Sequence, residues 1–163
     1  MFSQSKSVME FALSYPVDVR CVPLKGFHIT LKADERTRCK LAKNHGLLTV
    51  DDFFACFHIG TWKKRGRRIQ GYIKALIRQK CIITAESLEN CVNQTVDVIY
   101  VPEDFKLSGF SEDGTRPETL DILRGNEIDA GAVAEEFFEL SIDPYPRKPD
   151  ALFTPLMAFR MTE

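Results

Sequence analysis

Residues 68–83 alternate with a period of two, and no other feature of the chain restricts its fold as strongly. The odd positions Ile69, Gly71, Ile73, Ala75 and Ile77 form an apolar or small row. The even positions Arg68, Gln70, Tyr72, Lys74, Leu76, Arg78 and Lys80 form a mostly basic row. Such alternation puts the two rows on opposite faces of a strand. The stretch is therefore expected to be a long strand with one face in a core and the other carrying cations.

Charge is segregated along the chain. Residues 63–80 hold eight basic side chains, Lys63, Lys64, Arg65, Arg67, Arg68, Lys74, Arg78 and Lys80, and no acid. The formal net charge is nonetheless −1, because residues 102–143 carry twelve Asp or Glu against three Lys or Arg. A one-signed patch creates a local field that net charge does not report, and a basic one can hold a phosphate backbone. One basic face and one acidic face are expected.

The flanking segments supply partners for the long strand. Residues 53–62 are aromatic-rich and strand-like, and 92–101 form another apolar run. Short links favour antiparallel neighbours, so 53–62, 68–83 and 92–101 should form a meander. Gly66 marks the first turn, and 84–90 is the second connection. Residues 10–22 and 26–32 read as two more strands, with Phe27, Ile29 and Leu31 on one face of the second. Asp34 can cap a helix that ends at Gly46.

A second helix is expected over 129–140, capped by Asp129, with Val133, Phe137 and Leu140 as its apolar stripe. Phe138 lies off that stripe and could widen the contact. Glu135 and Glu139 would share a solvated face at i,i+4, an arrangement that only imitates a catalytic carboxylate pair. The acidic stretch 102–127 reads as a loop, mobile in part. The segment 143–149 should be extended by its prolines. The tail 150–163 carries apolar residues that could dock on the body.

At 163 residues the chain is expected to be one domain, spanning 1–163, with length enough for a core. No apolar stretch reaches the roughly 18 residues that cross a bilayer. The N-terminus lacks a sustained apolar region and a cleavage site, so a secretory signal is not expected. Cys21, Cys39, Cys56, Cys81 and Cys91 are odd in number and follow no framework, which fits reduced thiols and a cytoplasmic protein. Asn93-Gln94-Thr95 matches a glycosylation acceptor, which carries no meaning in such a location.

Catalytic and metal signatures are absent from the sequence. There is no nucleophile elbow, no Walker loop, no H-E-x-x-H and no Gly-rich dinucleotide turn. Cys56 and His58 would share a strand face, and Cys39 and His45 lie toward the end of one helix. Neither pair has the spacing of a tetrahedral site, so they read as core or half-buried residues. No enzyme, metal or cofactor is expected. The basic strand face has two readings. It contacts nucleic-acid phosphates, with Trp62 and Tyr72 as stacking surfaces, or its cations pair with acids on neighbouring strands.

Two stretches resemble the YceD family in its alphaproteobacterial form. In residues 128–149, Asp129, Gly131, Val133, Glu136, Leu140 and Asp143 through Pro149 match the family's C-terminal signature. Gly71, Ala75, Gln79, Cys81, Thr84, Glu86 and Leu88 resemble its central strand and turn. Cys81, Asp129, Glu136, Pro144, Tyr145, Pro146 and Arg147 are thus its motif positions here. Ala130, Ala85 and Ser87 depart from the usual Leu, Leu and Pro, and Thr84 stands where some relatives have a second cysteine.

The resemblance implies a bacterial or plastid protein associated with accumulation of large-subunit ribosomal RNA or its precursor, and so with ribosome assembly. It supplies no catalytic residues. The expected fold is α+β: a strongly curved antiparallel sheet, barrel-like at its extreme, with two main helices packed against it. The alternative function is a protein-interaction adaptor that binds a ribosomal protein or a nuclease through the acidic 102–143 region or the proline segment.

Overall fold

The structure, a computed structural model, describes residues 10–104 and 120–147. Along the chain these form β1 (Pro16–Asp18), a 3-10 turn (Val19–Cys21), β2 (Phe27–Lys32) and α1 (Glu35–His45). Then come the three long strands β3 (Thr49–Trp62), β4 (Gly66–Lys80) and β5 (Ser87–Pro102). Two short strands, β6 (Leu120–Leu123) and β7 (Glu127–Asp129), precede α2 (Ala130–Ser141). The class is α+β, with a curved main sheet that does not close.

The main sheet has the order β2-β3-β4-β5-β6. The first four strands form an antiparallel meander, with Ile59 opposite Ile69 and Ile69 opposite Val98. The two strands flanking β4 are longer than the periodicity indicated, because Thr49–Asp52 and Ser87–Asn90 continue the pairing on either side of it. β4 itself begins at Gly66 and ends at Lys80 rather than at residue 83. The second connection is consequently tighter. Cys81 N donates to Glu86 O at 2.8 Å and Ala85 N to Cys81 O at 2.9 Å, with Ala85 in the left-handed region at φ 62.

Two expectations are corrected here. Residues 10–22 are not one strand. Only Pro16–Asp18 pairs, with β7 in a separate two-stranded sheet, and the Asp18 carboxylate caps the turn after it. Nor is 102–127 loop throughout. Leu120–Leu123 pairs in parallel with Ile99–Pro102, which makes the sheet mixed at that edge. Residues 105–119 and the tail 150–163 lie outside the described residues.

The predicted alternation in β4 holds. Ile69, Ile73, Ala75 and Ile77 are buried, whereas Gln70, Tyr72, Lys74, Arg78 and Lys80 are exposed. Gly71 belongs to the inner row for a steric reason. A Cβ there would collide with the carbonyl oxygen of Cys56 on β3, so only glycine permits the strands to approach this closely. The core gathers Phe53, Phe57, Ile59, Ile69, Ile73, Ile77 and Val96 from the sheet with Leu41 of α1 and Phe138 of α2.

Both helices sit on this inner face. The Asp34 carboxylate accepts from Thr37 N at 2.8 Å to start α1, and Gly46 at φ 66 ends it. In α2 the apolar stripe differs from the expected one. Ala130, Val133, Ala134 and Phe138 are buried, Phe137 is half-buried and Leu140 is 80% exposed. Phe138 makes edge contacts with Phe53 at 5.3 Å and His45 at 5.5 Å. The helix is thus rotated so that Phe138, not Leu140, enters the core.

Candidate nucleic-acid interface

The register lines up side chains on the sheet's outer face in rows that cross the strands. One row is His28, His58, Gln70 and Asp97, the next Thr30, Cys56, Tyr72 and Thr95, and the third Lys32, Phe54, Lys74 and Asn93. Among the described residues no helix lies on this face. Phe54 and Tyr72 are ring neighbours, with centroids 6.2 Å apart and planes at 37°. Lys74 Nζ stands 5.3 Å from the Tyr72 ring centroid, a cation–π contact. The His28 and His58 rings are 4.7 Å apart.

The eight cations divide into distinct groups. Arg68 clasps Asp97 with two bonds of 2.9 and 2.6 Å. Arg78 reaches Asp51 at 2.8 Å and Glu89 at 4.0 Å, and Arg65 reaches Asp104 at 2.9 Å. Arg67 lies in the opposite row of β4, where it donates to Val19 O at 3.0 Å and to Gly66 O at 2.8 Å. Arg68 and Arg78 follow the cross-strand reading, Arg65 pairs with an acid just beyond β5, and Arg67 is held by backbone carbonyls instead. Each guanidinium already holds an oxygen acceptor, so fewer of its donors point to solvent.

The lysines behave differently. Lys32, Lys64, Lys74 and Lys80 pair with no carboxylate among the described residues. Lys63 sits at the β3–β4 turn at φ 52, its Nζ 5.0 Å from the Trp62 ring. Trp62 is half-buried and lies over Gly66, where a Cβ would be 2.8 Å from its Cε3. It is therefore partly used in closing the turn. Lys64, Arg65 and Arg67 also line a groove of about 640 Å³ at that end of the sheet, shared with Glu103 and Asp104.

The periodicity of β2 and β3 also carries a signal for this face. Phe27, Ile29 and Leu31 facing inward leave His28, Thr30 and Lys32 outward. Ala55, Phe57 and Ile59 inward leave Phe54, Cys56 and His58 outward. Which of those residues meet Tyr72 and Lys74 depends on the register, which includes an irregularity between Val50 and Asp52.

On the inner side two carboxylates of α2 and its cap bind the segment before β1. Asp129 accepts from Ala132 N at 3.1 Å, Tyr15 N at 2.7 Å and Ser14 Oγ at 3.0 Å. Glu135 is fully buried, which overturns its expected place on a solvated face with Glu139. It accepts from Ala12 N, Leu13 N, Asn44 Nδ2 and His45 Nε2 at 2.6, 3.2, 3.1 and 3.0 Å. Burial pushes its carboxyl up, but these bonds outweigh burial and hold it below the usual range. The neighbouring Glu136, on the exposed side of α2, moves the opposite way, raised by partial desolvation and by Asp121 and Glu139.

The stretches 71–88 and 128–149 meet in space. The buried Gln79 donates from Nε2 to Asp143 O at 2.9 Å and accepts from Asn90 Nδ2 at 2.8 Å. Ile82 N donates to Pro146 O at 3.0 Å. Pro146 and Cys81 are buried here, while Pro144, Tyr145 and Arg147 are exposed. Cys39 is exposed on α1 while the His45 ring is buried, and no group of three suitable ligands exists among the described residues. No helix among them is long and apolar enough to cross a membrane.

What these features define is a class by architecture, an α+β domain with one sheet face packed under helices and the other carrying rings and lysines. Compared with models of known protein families, with curated proteins and with solved structures, the chain matches none.

Proposed function

We propose that the chain is a non-enzymatic, YceD-like factor associated with large-subunit ribosomal RNA or its precursor, acting in ribosome assembly and contacting RNA through the outer face of its sheet. The observation that carries this reading is the outer face itself. Lys32 and Lys74 stand beside the half-buried Phe54 and the exposed Tyr72, and they and Lys80 have no carboxylate partner among the described residues. Cations next to rings suit a ligand that presents phosphates and bases together. The meeting of Gln79 and Ile82 with Asp143 and Pro146 supports the family reading, because it makes the two resembling stretches one structural unit. The ribosomal target comes from the resemblance alone.

Crosslinking in cells, with sequencing of bound RNA and mapping of crosslinked peptides, tests the proposal. Large-subunit ribosomal RNA attached to peptides within β2, β3 and β4 is expected. Recovery of no RNA above background overturns it.

A second reading, an adaptor for a basic ribosomal protein or a nuclease, is favoured by one feature. A groove of about 280 Å³ is lined by Tyr100, Asp121, Glu127, Asp129 and Glu136. Its acids are close enough for Asp121 to help raise the Glu136 carboxyl and, with burial, the Tyr100 hydroxyl. A partner retained after ribonuclease treatment and lost on Asp121→Asn with Glu136→Gln would favour the adaptor.

A further inference from the structure

The outer face also bears on which form of RNA it takes, an inference that rests on the RNA reading above. Phe54 and Tyr72 occupy the two middle strands of the four-stranded meander and lie on neighbouring rows. Adjacent rows are two residues apart, about 6.8 Å along the strand. The 6.2 Å separation of the two rings therefore offers two ring-sized places side by side. His28 and His58, packed together at 4.7 Å, add a third aromatic place two rows from Phe54.

Charge around these rings is arranged for an anionic backbone. Lys32 and Lys74 flank Phe54 on β2 and β4, and Lys74 lies against Tyr72. The three rows contain one carboxylate, Asp97, and Arg68 holds it with two bonds. Asp52 stands one row beyond, where its own carboxylate accepts from Phe53 N at 2.9 Å. Rings with cations at their edges are of limited use to a duplex, whose bases are already stacked and whose grooves present phosphates and edges. Unpaired bases have free faces to lay on rings.

We infer that the outer face of β2–β4 binds a single-stranded segment of RNA, with bases stacked on Phe54 and Tyr72 and phosphates held by Lys32 and Lys74. The paired arginines then take a positioning part, fixing β5 and β3 against β4.

Fluorescence anisotropy with a short labelled single-stranded RNA of mixed sequence, and with the duplex formed by adding its complement, tests this on the full chain. Single-stranded RNA should bind at least about tenfold more tightly than duplex. Tyr72→Leu and Phe54→Leu should each weaken it by about tenfold. Tyr72→Phe, which keeps the ring, should bind like the parent. Tyr72 is 36% exposed, so its variants report on binding even if Phe54→Leu disturbs the fold.

If the leucine variants bind unchanged while Lys32→Gln with Lys74→Gln does not, RNA is held by phosphates alone. The single-strand inference then falls and the RNA reading stands. Equal affinity for duplex has the same consequence. No binding of either RNA by the folded protein overturns both.

Discussion

The two faces of the main sheet are built from the same strands and follow opposite rules. The inner face buries Phe53, Phe57, Ile69, Ile73 and Phe138, and its deepest charge, Glu135, has donors from α1 and from the N-terminal segment. The outer face leaves rings and lysines in solvent and pairs its two arginines, Arg68 and Arg78, with exposed or half-exposed acids. A polar group on the inner face is therefore a stability determinant, because removing it strands buried partners. One on the outer face is nearly free energetically, since exposed ion pairs contribute about 0.2–1 kcal/mol.

The sharpest way to break this contrast is Glu135→Ala. It leaves two backbone N–H groups and His45 without their acceptor and removes one of the two acceptors of Asn44. A loss on the order of 3 kcal/mol is expected in urea denaturation. Tyr72→Leu on the outer face should cost well under that. Gly71→Ala, where the faces share a backbone seam, should cost about 1–3 kcal/mol through forced separation of β3 and β4.

Proton linkage separates two neighbours on α2. The Glu135 carboxyl is held below its ordinary value of 4.5. Its stabilising part is fully present above about pH 4.5 and is lost as pH falls through the lowered value. The Glu136 carboxyl is raised from 4.5, so its ionisation opposes folding as pH rises through the raised value. At pH 7, Glu135→Gln should therefore be less stable than the parent, and Glu136→Gln only slightly more stable, because solvent screens the exposed Glu136. Both differences should shrink in denaturation curves taken below pH 4.

The smallest expected effect divides the cations of the outer face and its turn. If RNA lies there, Lys32→Gln, Lys74→Gln and Lys80→Gln together should flatten the dependence of log affinity on log salt by about 2, at roughly 0.7 per phosphate of a single strand. Arg68→Ala or Arg78→Ala should flatten it much less, since their guanidinium groups are committed to Asp97 and Asp51. Equal contributions from arginines and lysines would erase the distinction between paired and unpaired cations.

Much of the frame could be read from local pattern. Period-two rows placed Ile69, Ile73 and Ile77 inward, Asp34 and Gly46 bounded α1, and Asp129 capped α2. Where local pattern misled, a long-range partner was the reason. Glu135 looked like a surface residue because nothing near it in sequence announces Ala12, Leu13 or His45, more than 85 positions away. Leu140 looked like core until the turn of α2 put Phe138 there. Leu120–Leu123 is short and lies in an acidic stretch, and it becomes a strand only because β5 has a free edge.

The basic run marks the same limit for the candidate site. Composition and alternation by themselves determined that residues 63–80 would carry a concentration of cations and that most of β4's would share a face. Tertiary structure decided which of them have charge to spare, because an ion pair is set by cross-strand register and not by neighbours in the chain. It was register that gave Arg68 to Asp97, placed Phe54 beside Lys74, and set two rings side by side on an open face.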